Sequence, residues 1–100
     1  MKTTITEIEG TYVATLEGRL DTAAAQHAER ELSLLYDCSG HDIILDCTQL
    51  EYISSSGLRI FLGILKNAKS KGHHVYIQNI NDDLRNVFAI TGFANLFEFK

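Results

Sequence analysis

The sequence predicts an α/β fold built on a mixed, mostly parallel sheet. Two observations lead to this prediction. The chain opens with two short alternating segments separated by a glycine, and after them segments of helical periodicity alternate with short apolar runs. Strands that alternate with helices are joined by right-handed crossovers and form parallel sheets. With 100 residues, the chain is expected to form one domain over residues 1–100.

Five segments have the length and composition of strands. The first two are expected to form a hairpin that turns at Gly10. The third is short, apolar and β-branched at its start, which predicts a strand buried on both faces. In chain order, the predicted strands are Thr3–Glu9, Thr11–Glu17, Asp42–Cys47, His74–Gln78 and Phe97–Phe99.

Three segments have apolar residues at helical spacing. The first is Asp21–Tyr36, with Asp21 or Thr22 as its N-cap. The second, Ser55–Gly72, has the strongest apolar face, with lysines near its end and a glycine suited to the C′ position. The third is Asp82–Thr91, which Gly92 should stop. The apolar face of the second helix is predicted to consist of Leu58, Phe61, Leu62, Leu65 and Ala68.

Composition excludes several classes of function. The net charge is −4 and the nine Lys and Arg residues are scattered, whereas nucleic-acid binding needs clustered cations. The longest apolar run, Ile60–Leu65, is far too short to span a bilayer, and residues 1–10 lack the apolar core of a signal peptide. Cys38 and Cys47 form no CxxC pair, which indicates a reducing, cytoplasmic setting, although one disulfide between them stays possible in principle.

The segment Asp46–Leu58 is the most informative part of the chain. It runs from an apolar strand to the start of the second helix, and open parallel sheets place function at such carboxyl ends. Its three consecutive serines have two compatible interpretations. Ser54 or Ser55 can cap the helix, and one of the hydroxyls can accept a phosphate, which the positive end of the helix dipole favours.

Signals for catalysis are weak. The serine-hydrolase elbow G-x-S-x-G is missing because Ile53 lies two residues before Ser55, and there is no phosphate-binding loop sequence. His73 and His74 have no further His or Cys at zinc-ligand spacing, so they are expected to flank a strand. No metal or cofactor is predicted, and a serine hydrolase or phosphotransferase is the less favoured alternative.

Three stretches of the chain resemble the STAS domain of anti-sigma factor antagonists. They are GRLDTAAA at 18–25, LDCTQLEYISSSGLRIFL at 45–62 and NINDDLRNVFAITGFANLFEF at 79–99. They occur in the order typical of that family and extend from residue 18 to residue 99 of the chain. The family usually has Asp-Ser-Ser-Gly-Leu before the second helix, and this chain has Ser54 in place of that aspartate.

The resemblance implies a protein-binding switch rather than an enzyme. In that family the unphosphorylated domain binds an anti-sigma factor that is also a serine kinase, phosphorylation ends the complex, and a protein phosphatase restores it. By position, Ser55 is the implied phosphoacceptor. A non-switching STAS subunit of a transporter or larger regulatory complex is the alternative, since Ser54 replaces the family aspartate. The implied partner-binding residues are Asp21, Thr22, Ser54, Ser55, Ser56, Gly57 and Leu58.

Overall fold

The computed structural model describes residues 1–36 and 40–100. It contains a five-stranded sheet in the order β1-β2-β3-β4-β5, in which β1 and β2 are antiparallel and all other neighbours are parallel. This confirms the mixed, mostly parallel sheet that the sequence predicts. The strands are β1 Lys2–Ile8, β2 Thr11–Leu20, β3 Asp42–Ile53, β4 Val75–Gln78 and β5 Glu98–Phe99.

Three helices connect the strands. They are α1 Thr22–Glu31, α2 Ser55–Ser70 and α3 Asp82–Ile90, and short 3-10 turns follow α1 at Ser33–Tyr36 and α3 at Phe93–Asn95. As predicted, α2 ends at a glycine: Gly72 has φ +80°, and the backbone N–H of His73 donates to the carbonyl of Ala68 at 2.9 Å. These are features of a Schellman motif, which satisfies carbonyls that the helix end leaves free.

The hairpin turns through two residues in the left-handed region, Glu9 with φ 49° and Gly10 with φ 78°. Positive φ at both central residues is the geometry of a type I′ turn, whose twist matches that of the flanking strands. The prediction of a hairpin that turns at Gly10 is therefore confirmed.

Two strands extend beyond their predicted ends, because they pair with each other. The sequence predicts that β2 ends at Glu17 and β3 at Cys47, yet residues 17–20 of β2 run beside 49–53 of β3. Gly18, with φ +102°, lies at a shift of register within this extension. Irregular pairing breaks the strict alternation of buried and exposed side chains, so a period-2 pattern does not reveal the extension.

The first helix is shorter than predicted. It ends at Glu31, after which the backbone N–H of Leu35 donates to the carbonyl of Leu32 at 2.9 Å in the 3-10 turn. Leu32 and Leu35 are both fully buried. The 3-10 turn therefore keeps these two leucines in the core. For this reason the apolar residues of the sequence recur at helical spacing up to Tyr36, although α1 itself ends earlier.

Only one face of the sheet carries the core. Along β3, Ile43, Leu45 and Cys47 are fully buried, whereas Ile44 on the opposite face is half-buried. The prediction that this strand is buried on both faces is wrong, because the apolar sides of α1, α2 and α3 all belong to the core on the first face. Phe61 of α2 and Phe88 of α3 meet edge to face there, with ring centroids 6.2 Å apart.

Candidate functional site

The candidate site lies where β2 and β3 end side by side. Leu20 pairs with Ile53 in the last position of the parallel ladder. The backbone N–H of Ser54 then donates to the carbonyl of Leu20 at 2.8 Å. The segment that leads into α1 and the segment that leads into α2 therefore meet at one end of the sheet.

Short polar side chains cap both helices at this edge. Asp21 Oδ1 accepts a hydrogen bond from the backbone N–H of Ala24 at 2.8 Å, so Asp21 rather than Thr22 is the N-cap of α1. Ser54 Oγ accepts from the backbone N–H of Gly57 at 3.2 Å, so Ser54 rather than Ser55 caps α2. Each cap satisfies an N–H group that the helix itself leaves without a partner.

The three consecutive serines have different environments. Ser54 is buried, Ser56 is half-buried and Ser55, the first residue of α2, is exposed. Within residues 1–36 and 40–100, the Ser55 hydroxyl has no hydrogen-bond partner. Of the three hydroxyls, that of Ser55 is therefore the most accessible to another protein, and it stands at the positive end of the longest helix.

Gly57 lets α2 start directly on the sheet. A Cβ atom at this position would lie 2.7 Å from Leu20 Cγ and 2.8 Å from Ile53 Cγ1, distances that real Cβ contacts do not reach. Leu58, the next residue, is buried in the core. The glycine and leucine of the motif therefore have a packing role, and they fix the position of Ser55 relative to the two strands.

A surface pair beside this site could not be found from the sequence pattern. Arg19 Cζ lies 4.4 Å from the ring centroid of Tyr52, and both side chains are exposed. The two residues are register partners in the extended part of β2 and β3. An arginine and a tyrosine can form a cation–π contact, but the sequence shows only that both residue types are present. Which arginine faces which tyrosine depends on the irregular register between β2 and β3.

The described residues provide no candidate metal centre. Within residues 1–36 and 40–100, no group of three His, Cys, Asp or Glu side chains is arranged to hold a metal ion. His73 and His74 lie just before β4, as predicted, where their Nδ1 atoms are 3.7 Å from Asp42 Oδ1 and 3.0 Å from Glu98 Oε2. They occupy the opposite end of the sheet from Ser55.

Cys47 is a buried thiol of the core. Burial, and then the neighbouring carboxylate of Asp46, raises the pKa of Cys47 to about 12. The thiolate is the reactive form of cysteine, so this residue is chemically inert at neutral pH, as its apolar position suggests. Cys38, the other predicted thiol, lies outside the described residues. Among the helices of the described part of the chain, none is long and apolar enough to cross a membrane.

Comparison with known proteins agrees with this architecture. Residues 2–100 match the family model of the STAS domain. The chain belongs to the STAS domain family. BtrV of Bordetella bronchiseptica, a candidate anti-sigma factor antagonist, is 34% identical over 97 residues, which cover 97% of this STAS domain chain and 84% of BtrV. The anti-sigma-B factor antagonist of Listeria monocytogenes is 26% identical over 83 residues, which cover 83% of this chain and 73% of the relative.

Solved structures share the same fold. The unphosphorylated form of the anti-sigma factor antagonist SpoIIAA has a TM-score of 0.76 at 20% identity, covering 99% of this chain and 87% of that one. The phosphorylated form of the Bacillus protein has a TM-score of 0.75 at 21% identity, covering 99% and 91%. At this level of identity the likeness concerns the fold alone, and it confirms the α/β architecture of the STAS family.

Proposed function

We propose that this STAS domain is an anti-sigma factor antagonist that is switched by phosphorylation of Ser55. In its unphosphorylated state it binds an anti-sigma factor that is also a serine kinase, and a protein phosphatase reverses the modification. The domain acts by binding in the cytoplasm and is not itself an enzyme. The observation that carries the proposal is the exposure of Ser55 at the start of α2, between a buried capping serine and a half-buried one.

The binding surface proposed here combines the starts of α1 and α2. Its exposed or half-buried members are Asp21, Thr22, Ser55 and Ser56. Ser54, Gly57 and Leu58, which the sequence also predicts as binding residues, are buried and serve to position the others. Support comes from the hydrogen bond between the Ser54 N–H and the Leu20 carbonyl, a contact within the domain that holds the two helix starts together. A surface that is already ordered loses little conformational freedom on association.

Ser54 in place of the family aspartate is compatible with the switch. The residue caps α2 through Oγ, which is the role that an aspartate carboxylate would also fill at an N-cap. The substitution removes one negative charge next to Ser55 and leaves the helix start formed. The alternative of a non-switching STAS subunit of a transporter or larger regulatory complex depends on this substitution, and the substitution leaves the capped start of α2 intact.

A phosphate on Ser55 affects the fold and the complex differently. At the exposed start of a helix, an added anion is neutral or stabilising by about 0.3–1 kcal/mol. Inside an interface the same charge must be desolvated, and a like charge opposite it can cost several kcal/mol. A loss of about 3 kcal/mol weakens binding by on the order of a hundredfold. One modification can therefore end the complex while the domain stays folded.

The test uses whichever kinase-type anti-sigma factors the source genome encodes. Each is purified, incubated with the STAS domain and ATP, and the modified residue is located by mass spectrometry. Calorimetric titration then compares the phosphorylated and unmodified domains, with Ser55→Ala as the variant that should bind and resist the kinase. Phosphate found only on Ser54 or Ser56, or undiminished binding by domain phosphorylated at Ser55, would show that the proposal is wrong.

A further inference from the structure

A groove of about 330 Å³ runs between α1 and α2, next to Ser55. Two of its lining residues, Thr22 and Ser56, belong to the binding surface proposed above. Its floor is apolar and consists of Ala25 of α1 and Ile60 of α2, each of which is only 6% exposed. The groove is thus continuous with the proposed partner surface and extends it along the two helices.

The two walls of the groove carry opposite charges. Glu29 stands on the α1 side and Arg59 on the α2 side, and both side chains are exposed. Within residues 1–36 and 40–100, neither forms a salt bridge with any residue, including the other. Each charge is therefore available to a group of opposite sign that enters the groove.

Tyr36 closes one end of the groove in a fixed position. Its carbonyl accepts a hydrogen bond from Lys71 Nζ at 2.7 Å and another from Asn67 Nδ2. Its hydroxyl lies so close to Gly63 that a Cβ there would be 2.7 Å away. Partial burial, and then the Glu29 carboxylate, raises the pKa of the Tyr36 phenol, so the phenol is protonated at neutral pH. The end wall is therefore neutral and held by α2.

We infer that this groove receives a segment of the anti-sigma factor that presents an acidic side chain to Arg59 and a basic side chain to Glu29. The inference rests on the proposed function and concerns how the partner is recognised. Charge complementarity at two points of opposite sign fixes the orientation of the bound segment and rejects partners with the reverse arrangement. The apolar floor of Ala25 and Ile60 accommodates the aliphatic stems of those side chains.

Charge-neutralising variants test this inference against the cognate kinase-type anti-sigma factor, by calorimetric titration. Glu29→Gln and Arg59→Gln should each weaken binding roughly fivefold to tenfold, because each leaves a partner charge without its counterpart. Glu31→Gln on α1 and Lys66→Gln on α2 are the matched controls. They make the same change in net charge on exposed residues outside the groove, and each should bind within about twofold of the unmodified domain.

A shape variant gives a second measurement. Gly63→Ala forces the end of the Tyr36 side chain to move and so changes the shape of the groove, which should weaken binding without unfolding the domain. Ser55→Asp is included in the same titrations. If the groove variants bind like the unmodified domain while Ser55→Asp binds weakly, the groove inference is overturned and the proposed function stands.

Two further outcomes would also overturn the inference. If none of the anti-sigma factors binds the unmodified domain, the proposed function fails and the groove inference fails with it. If Glu29→Gln and Arg59→Gln change the sedimentation coefficient of the domain alone and leave binding of the anti-sigma factor unchanged, the groove's occupant is a second copy of this chain instead.

Discussion

Ser54 is hydrogen-bonded through both its backbone and its side chain. Its backbone N–H donates to the carbonyl of Leu20 at 2.8 Å, and its hydroxyl accepts from the backbone N–H of Gly57 at 3.2 Å. The first bond ties the residue to the end of β2, just before α1, and the second caps α2. Ser55 follows immediately. Its location therefore depends on a residue that is bound on both sides, and the position of the exposed hydroxyl is set before any partner arrives.

Replacing Ser54 tests the capping role. Ser54→Ala should lower the free energy of unfolding by about 1 kcal/mol, because Gly57 loses the acceptor for its N–H. Ser54→Asp should retain the cap and equal or exceed the parent in stability, since a carboxylate also interacts favourably with the helix dipole. Urea denaturation measures both, and Ser55→Ala, at an exposed position, is the control that should change stability by less than about 0.5 kcal/mol. Equal stability of Ser54→Ala and the parent would contradict the capping role.

Two glycines of α2 should respond differently to alanine. Gly57→Ala should destabilise the domain by about 1–3 kcal/mol, because the new methyl group meets Leu20 and Ile53 inside the core. Gly63→Ala meets only the hydroxyl end of Tyr36, which can move, and alanine favours a helix by roughly 1 kcal/mol over glycine. Its stability should therefore stay within about 1 kcal/mol of the parent. Thermal unfolding monitored by circular dichroism gives the comparison, and similar losses for both variants would count against the close packing at Gly57.

Variants at Asp21 separate capping from partner recognition. Asp21→Asn keeps an oxygen that can accept from the Ala24 N–H, so its stability should be close to that of the parent. Asp21→Ala should lose about 1 kcal/mol of stability and, if the carboxylate contacts the anti-sigma factor, bind it more weakly. Asp21→Asn then reports the carboxylate alone. Affinities equal to the parent for both variants would leave Asp21 with the capping role only.

Phosphorylation should leave the fold intact. Ser55→Asp introduces a single negative charge at the first position of α2, so the free energy of unfolding should stay the same or rise by about 0.3–1 kcal/mol. Its affinity for the anti-sigma factor should fall, though less than after true phosphorylation, which adds more charge and three acceptor oxygens. Denaturation and titration of the same preparation test both statements. A marked loss of stability would mean that the modification acts by unfolding α2 and would contradict the mechanism.

The Cys47 thiol makes stability depend on pH in the alkaline range. Its pKa is raised from 9.0 to about 12 in the folded chain, so between these values the folded state holds a proton that the unfolded state has lost. The contribution of this thiol to the free energy of unfolding therefore keeps its full value below pH 9 and falls as the pH rises toward 12. Cys47→Ala should flatten the decline of the unfolding free energy above pH 9, although the smaller side chain also lowers stability at every pH.

A thiol reagent provides the second check on Cys47. In a Cys38→Ser background at pH 8, a disulfide reagent should modify Cys47 only as fast as the domain unfolds, because the folded residue is buried and protonated. The same reagent in urea should react at once. Rapid modification of the folded domain would show that the thiol is accessible and that its burial is not maintained in solution.

The helices, the hairpin and the alternation of strands with helices along the chain could be predicted because each has a local signal. Gly10 and Gly72 lie at turns that require positive φ, and the apolar residues of α2 recur at helical spacing. The joined ends of β2 and β3 could not be predicted. Residues 48–52 expose four side chains and bury only Leu50, a pattern without a clear period that arises from the shifted register with β2.

The site itself was predicted only in part. Which serine is exposed depends on the residue at which α2 begins. The hydrogen bond from Ser54 to Leu20 holds that start in place, and it joins residues that are 34 positions apart in the sequence. The groove between α1 and α2 has no sequence signature at all. Glu29 and Arg59 become opposite walls only after the helices pack on the same face of the sheet.

The antiparallel first strand has a practical consequence for how the domain should be handled. Lys2 pairs with Glu17, and Met1 lies within 3.5 Å of the position that a Cβ on Gly18 would occupy. Met1 is thus only three residues along the neighbouring strand from Asp21. Lys100 follows β5, which is separated from β3 by β4, and its backbone N–H donates to the carbonyl of Ile77 at 2.8 Å. An affinity tag or fluorophore fused before Met1 would therefore crowd the surface under study, whereas one attached after Lys100 would start two strands away from β3.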